Sequence, residues 1–271
     1  MNQTFNFKRF STYFKYDLTQ MWRNHSKAAI LIGGASAIFY MLWVMFSLVF
    51  NHQWQSPVPA ARLVVFSLAF FALELYQVRT YGYITDKKAG SSWLMIPASR
   101  AEKFVSMLLV SLVVVPLLFF VVYMFLDGFI SLVDPTYGKA LIAGFSSAYD
   151  QMVNALTQIS EQTPIIIKPS TLIIPAIVSY CCNFLYFLLC GICFKRNKLV
   201  GAIAILFLIS TVSSLVMGFF VPEMAEYFGA IDEENIMQYF NQLITVCTCV
   251  TGVLTVGLGW GVWYRIKTLQ H

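Results

Sequence analysis

The chain has 271 residues, 18 Lys and Arg against 13 Asp and Glu, a formal net charge of +5, 58% hydrophobic residues and only 11% charged ones. Soluble globular domains are about 45–50% apolar and about 25% charged, so a water-soluble enzyme is excluded, as are a disordered chain, a collagen-like chain and a disulfide-stapled secreted domain. A polytopic membrane protein remains, and the placement of the basic residues decides whether the net charge concerns nucleic acid.

In chain order, the first element lies between Phe5 and Trp22. Phe7, Phe10, Phe14, Leu18 and Met21 recur at three- and four-residue spacing, with Lys8, Arg9 and Lys15 off that line. The pattern predicts an amphipathic helix in the membrane interface, within an N-terminal segment 1–27. It reads either as an anchor for the first span or as an elbow that passes movement into the bundle. A signal peptide is not read here, because charges and aromatics replace a continuous apolar region.

A span needs roughly 20 apolar residues, and six stretches qualify: Ala28–Phe50, Ala60–Val78, Phe104–Leu126, Thr171–Phe194, Leu199–Val221 and Leu243–Tyr264. They are too long and too uniformly apolar for barrel strands. The expected fold is therefore all-α and polytopic, one transmembrane domain over 1–271 with six helices. Lys8, Arg9, Lys15, Arg23 and Lys27 precede the first span. Arg79, Lys87, Lys88, Arg100 and Lys103 lie between the second and third, Lys195, Arg196 and Lys198 between the fourth and fifth, and Arg265 and Lys267 after the sixth. Only Arg62, Lys139 and Lys168 fall on the other side. The positive-inside rule puts both termini in the cytoplasm. The charge records topology, and no nucleic-acid partner is expected.

The loop 79–103 is the most informative stretch. Trp93, Leu94, Met95 and Ile96 form an apolar patch inside a charged cytoplasmic loop, which seeks a membrane surface or a partner protein. Pro97 ends a short helix there, and Ser99 with Glu102 forms a capping box for the next. The expected shape is a span, a short crosswise helix, a sharp corner and the third span. On the outer side, the loop 127–170 carries Leu141, Phe145, Met152, Val153 and Leu156 at helical spacing. The acidic loop 222–242 carries Glu223, Glu226, Asp232, Glu233 and Glu234, with apolar residues that predict two short helices on the outer membrane surface.

Chemistry of known sequence signature is missing. The sequence contains no phosphate-loop motif, no zinc-binding H-E-x-x-H and no G-x-S-x-G. His25, His52 and His271 lie outside the spans and on both sides of the membrane. All six cysteines lie within spans and read as small packing residues; Cys190 and Cys193 lack a second pair for a metal. Catalysis and a metal or cofactor in this chain are not expected. Glu74 is the one carboxylate clearly inside a span. It reads as half of an ion pair with Arg79, or as a gate or relay. Pro116 is a mid-span kink candidate. Ser210, Ser213 and Ser214 in the fifth span, and Thr248 and Thr251 in the sixth, read as helix-packing residues or as a mildly polar lining between two protomers.

Together these residues resemble the permease subunit of ABC-2 type exporters. The order of an interfacial helix, two spans, a charged corner and four further spans matches over nearly the whole chain. The stretch from Trp93 to Phe104 is similar to the L-P-[AV]-[ST]-R…K-[FL] corner of small bacterial members, with Ile96 in place of leucine. The resemblance implies a six-span subunit in the bacterial cytoplasmic membrane, paired as a homodimer and surrounded by lipid. It also implies that ATP and Mg are bound by a separate cytosolic ATPase. Thr85–Met95 would be the coupling helix, with Asp86, Lys87 and Lys88 as polar contacts and Trp93 or Leu94 as the apolar anchor. Pro97, Arg100 and Glu102 would shape the corner. The 3–4 loop is longer than is common in that family. The competing expectation is a non-transporting scaffold or assembly factor that uses the same loop; an ion-coupled carrier is a third.

Overall fold

A computed structural model describes residues 5–144, 170–229 and 233–268, and every regular element among them is helical. The helices are α1 (Phe7–Gly33), α2 (Ala35–Asn51), α3 (Pro59–Thr80), α4 (Lys87–Met95), α5 (Arg100–Leu109), α6 (Val115–Val133), α7 (Ser170–Cys193), α8 (Lys198–Gly229) and α9 (Glu233–Thr268). Five segments are long and apolar enough to cross a membrane, within Pro59–Thr85, Arg100–Val133, Ile173–Cys193, Lys198–Leu215 and Asn241–Thr268. The pair α1 and α2, bent by 44°, brings the number to six when it is counted as one span. The chain is a polytopic helical membrane protein.

The first span differs from expectation. No separate interfacial helix precedes it: α1 runs unbroken from Phe7 through Gly33, and the chain bends by 44° before α2. The break falls at adjacent glycines, where helix propensity is lowest. There Gly33 lets α1 approach α6, because a Cβ would stand 3.0 Å from Val122. The buried stripe of α1 is Phe10, Tyr13, Asp17 and Met21, while Phe7 stays 76% exposed.

The third span has a wide turn. Residues Val110–Val114 form a π-helical segment between α5 and α6. Pro116 has no N–H to give the carbonyl four residues back, which is that of Leu112. That carbonyl instead accepts the Tyr180 hydroxyl of α7 at 2.5 Å, and the carbonyl of Ser111 accepts from Gln77 of α3 at 3.5 Å. Pro116 therefore produces a π segment cross-linked to both neighbours.

The core lies where α3, α6 and α7 meet. Phe66 and Phe70 of α3 pack on Phe119 and Tyr123 of α6 and on Phe184 of α7, with ring centroids 5.2–6.0 Å apart. Gly191 permits this approach at the end nearest the corner, since a Cβ there would stand 2.7 Å from the Val78 carbonyl. By contrast, α8 and α9 are anchored at their positively charged ends by Ala202, Val262 and Ile266. Beyond these, α9 lays a half-buried stripe along α7, while α8 is largely uncovered by the chain, with 6% of its apolar window buried.

The outer loops also depart from expectation. α6 extends to Val133, so Asp127 sits in a helix. Helix resumes at Leu141, while Phe145, Met152, Val153 and Leu156 lie outside the described residues. The acidic stretch forms no separate surface helices: α8 continues through Gly229 and α9 starts at Glu233. At 32 and 36 residues these helices are about 48 and 54 Å long, beyond a core about 30 Å thick. Asp232 lies outside the described residues, as do the side chains of Glu223, Glu226, Glu233 and Glu234.

Candidate functional site: the corner before the third span

The corner is built by the first turns of α5. Ser99 caps α5 by accepting from the Glu102 N–H at 3.2 Å, and Glu102 accepts from the Ser99 N–H at 2.8 Å. This is the capping box that the spacing predicts. The same carboxylate, fully buried, accepts from the Asn6 backbone N–H at 2.8 Å and from Arg9 twice, through Nε at 2.8 Å and Nη2 at 2.7 Å. Glu102 thus ties the start of α1 to the start of α5. One residue on, Lys103 is 3% exposed and directs its ammonium at the C-terminal end of α4, donating to the carbonyls of Trp93 at 2.8 Å and Leu94 at 3.4 Å. A cation suits those carbonyls, which carry the negative end of the helix dipole. It also stands 4.6 Å from the centre of the Trp93 ring. Ser106, a turn further, donates to Asp17 of α1 at 2.6 Å, and Tyr81 donates to the same oxygen at 2.9 Å. Three buried side chains of α5 therefore hold α1 and α4 together.

Trp93 does not offer an apolar anchor to a partner. It is 3% exposed, packed in the chain's own core, and donates from its indole to the Tyr13 hydroxyl at 3.1 Å. Leu94 is half-buried against the same core. The exposed apolar residue of α4 is Met95, at 82%. Asp86 leaves the N-terminus of α4 without a side-chain cap and pairs with Lys198 at the start of α8, at 2.9 Å. Lys87 and Lys88 open α4, but their side chains lie outside the described residues. Pro97 and Arg100 are exposed. Glu102 faces inward, so it is a structural tie and not a surface contact.

Glu74 is buried and does not pair with Arg79, which is exposed. Its side-chain partner is Asn183 of α7. A residue five positions beyond Glu74 on a helix points about 140° away from it, whereas α7 packs directly on the Glu74 face of α3. Thr248 and Thr251 are half-buried in the stripe of α9 that meets α7, and each hydroxyl bonds the carbonyl four residues back. Ser210, Ser213 and Ser214 are exposed on α8 and are not brought near them.

The sequence reading passed over two polar groups on the outer side. Arg62, 3% exposed, makes a two-point contact from Nη2 with Asp127, 1% exposed, at 2.9 and 3.0 Å. Asp127 also accepts from the Tyr137 hydroxyl at 2.8 Å and the Leu141 N–H at 2.6 Å, and the guanidinium lies 3.8 Å over the Tyr137 ring. Nearby, Asp134 accepts from Tyr40, Trp54, Ser56 and Thr136. Burial pushes the Asp134 carboxyl up, but the hydrogen bonds from Ser56, Thr136 and Tyr40 outweigh it and hold it well below the usual carboxylate range. An Arg beside the start of an apolar run, with an Asp near the end of the next, is the sequence signal that could have found this pair.

Among the described residues, no group of three or more His, Cys, Asp or Glu side chains is placed to hold a metal ion. Comparison of the chain with family models, with curated proteins and with solved structures yields no match.

Proposed function

We propose that this chain is the membrane-spanning subunit of an ATP-driven exporter, acting as a homodimer in a bacterial cytoplasmic membrane. A separate cytosolic ATPase, which binds ATP and Mg, docks on the loop 79–103. The observation that carries the reading is the corner itself. A nine-residue helix lies between two spans on the positively charged side, and buried contacts fasten it to the third span through Lys103 and to α1 through the Trp93–Tyr13 bond. A load applied to α4 would pass into two spans at once, which is what a transmission element requires. The exposed face for docking comprises Met95, Pro97 and Arg100, with Asp86 at the opposite end.

The test is co-expression with a phosphate-loop ATPase encoded beside this chain's gene, followed by purification through the membrane subunit. The ATPase is expected to co-purify and to lose at least tenfold in affinity on Met95→Asp, with the thermal stability of the membrane subunit unchanged. A stable membrane subunit with no nucleotide-binding partner, or a complex indifferent to Met95→Asp, would refute the reading.

A further inference from the structure

A cleft of about 630 Å³ lies between the start of α1 and the corner segment Ile96–Ala98. Pro97 and Ala98 form its apolar wall. Lys8 and Arg9 stand at its charged side, with Thr12 and Tyr16 beside them, and no acidic residue lines it. The nearest carboxylate, Glu102, is turned away and engaged by Arg9 and by the N–H groups of Asn6 and Ser99. The cleft therefore pairs an apolar wall with a cationic rim.

Its depth is fixed by packing. Asp17 meets Ser106, and Gly33 meets Val122, so α1 runs parallel to α5 and α6. Residues 8–13 are then level with the first turn of α5, where the third span leaves the hydrocarbon. Phe5, Phe7 and Tyr16 are exposed around this level, as aromatic side chains are at a headgroup boundary. Basic pockets on the cytoplasmic side of a membrane protein suit anionic headgroups.

We infer that this cleft binds the headgroup of an anionic phospholipid of the inner leaflet, its phosphate beside Lys8 and its glycerol and upper acyl carbons against Pro97 and Ala98. The site shares Pro97 with the proposed ATPase face, but its occupation by lipid does not require that ATPase. Because its two walls are α1 and the corner, a bound lipid bridges the elements that the Arg9–Glu102 pair also joins.

The full chain in a neutral detergent is titrated with dihexanoyl phosphatidylglycerol, dihexanoyl phosphatidylcholine and inorganic phosphate, with binding read by native mass spectrometry. Phosphatidylglycerol is expected to bind as a single copy and at least fivefold more tightly than phosphatidylcholine, with no retention of phosphate alone. Lys8→Glu and Thr12→Phe, one reversing the charge and one filling the cleft at an exposed position, should each weaken it about fivefold or more. Lys15→Glu, on the same helix but away from the cleft, should not. Equal binding of both lipids, or equal losses for Lys8→Glu and Lys15→Glu, would overturn the site in favour of diffuse surface charge. So would equal retention of phosphate alone. Protection of a Thr12→Cys thiol by the cytosolic ATPase, and not by phosphatidylglycerol, would assign the cleft to protein instead.

Discussion

The pair Arg62–Asp127 provides the sharpest test of how this fold is held on its outer side. Both groups are at most 3% exposed, and Asp127 is further engaged by Tyr137 and the Leu141 N–H. Asp127→Asn keeps the shape and one acceptor oxygen but leaves the guanidinium buried without a counter-charge. Breaking a buried pair in this way costs about 3–5 kcal/mol. Arg62→Met leaves the carboxylate with two donors but no cation and should cost a similar amount. The double variant carries no buried charge, so it should cost less than the two single changes together by about 2–3 kcal/mol. The assay is reversible unfolding in mixed micelles on titration with dodecyl sulfate, which reports free energy directly. A loss below about 1 kcal/mol for Asp127→Asn, or strict additivity in the double variant, would show that the pair is screened as at an open surface and would refute the reasoning.

Three further outcomes follow from the same geometry. Asp134 has its carboxyl held below the ordinary range in the folded state, so its contribution is fully present above the unfolded value of about 3.9 and is lost as pH falls through the folded one. Trp54 should therefore stay engaged at about pH 4 and be released only on acidification well below the ordinary carboxylate range, seen as the emission difference between the wild type and Trp54→Phe, and Asp134→Asn should show the released signal at neutral pH. Gly191→Ala meets the Val78 carbonyl at 2.7 Å and should cost about 1–3 kcal/mol by the same unfolding assay; a neutral result would mean that α3 and α7 stand further apart. Trp93→Ala should cost about 3–5 kcal/mol as a core truncation, whereas Met95→Asp should leave stability within about 0.5 kcal/mol. The reverse ranking would put Trp93 back on the surface.

Much of the architecture was legible because the membrane imposes it. Long apolar runs must be helical when no water is present to satisfy backbone groups, and the spans and the capping box of Ser99 and Glu102 follow from spacing alone. Partners across the fold were not legible. Lys103 and Arg9 registered as topology charges, yet one closes α4 and the other binds Glu102. Asp17 lies within the apolar stripe of α1, and its partners Tyr81 and Ser106 come from distant segments that spacing does not bring together. The resemblance makes Trp93 or Leu94 an exposed anchor, but a short amphipathic helix has two sides, and only tertiary packing decides which side turns in. Pro116 predicted a kink, and the π segment is the form that the kink takes when two neighbouring helices supply donors.

That segment also sets a phase. The inward residues of the third span fall at intervals of four: Lys103, Met107, Ser111, Val115, Phe119, Tyr123 and Asp127. In a pure α-helix each such interval overshoots one revolution by about 40°, so the row would wind steadily off its face. One additional residue in the wide turn takes back about 100°. From Lys103 to Asp127 the overshoot would sum to about 240°, and the wide turn leaves about 140° of it, so Ser106 addresses α1 at one end while Asp127 addresses Arg62 of α3 at the other. The wide turn sets the angle between the two ends of the helix: straightening it into plain α-helix with every residue kept would turn one end about 100° against the other, whereas deleting one residue between Val110 and Val114 would remove the wide turn and leave that angle unchanged.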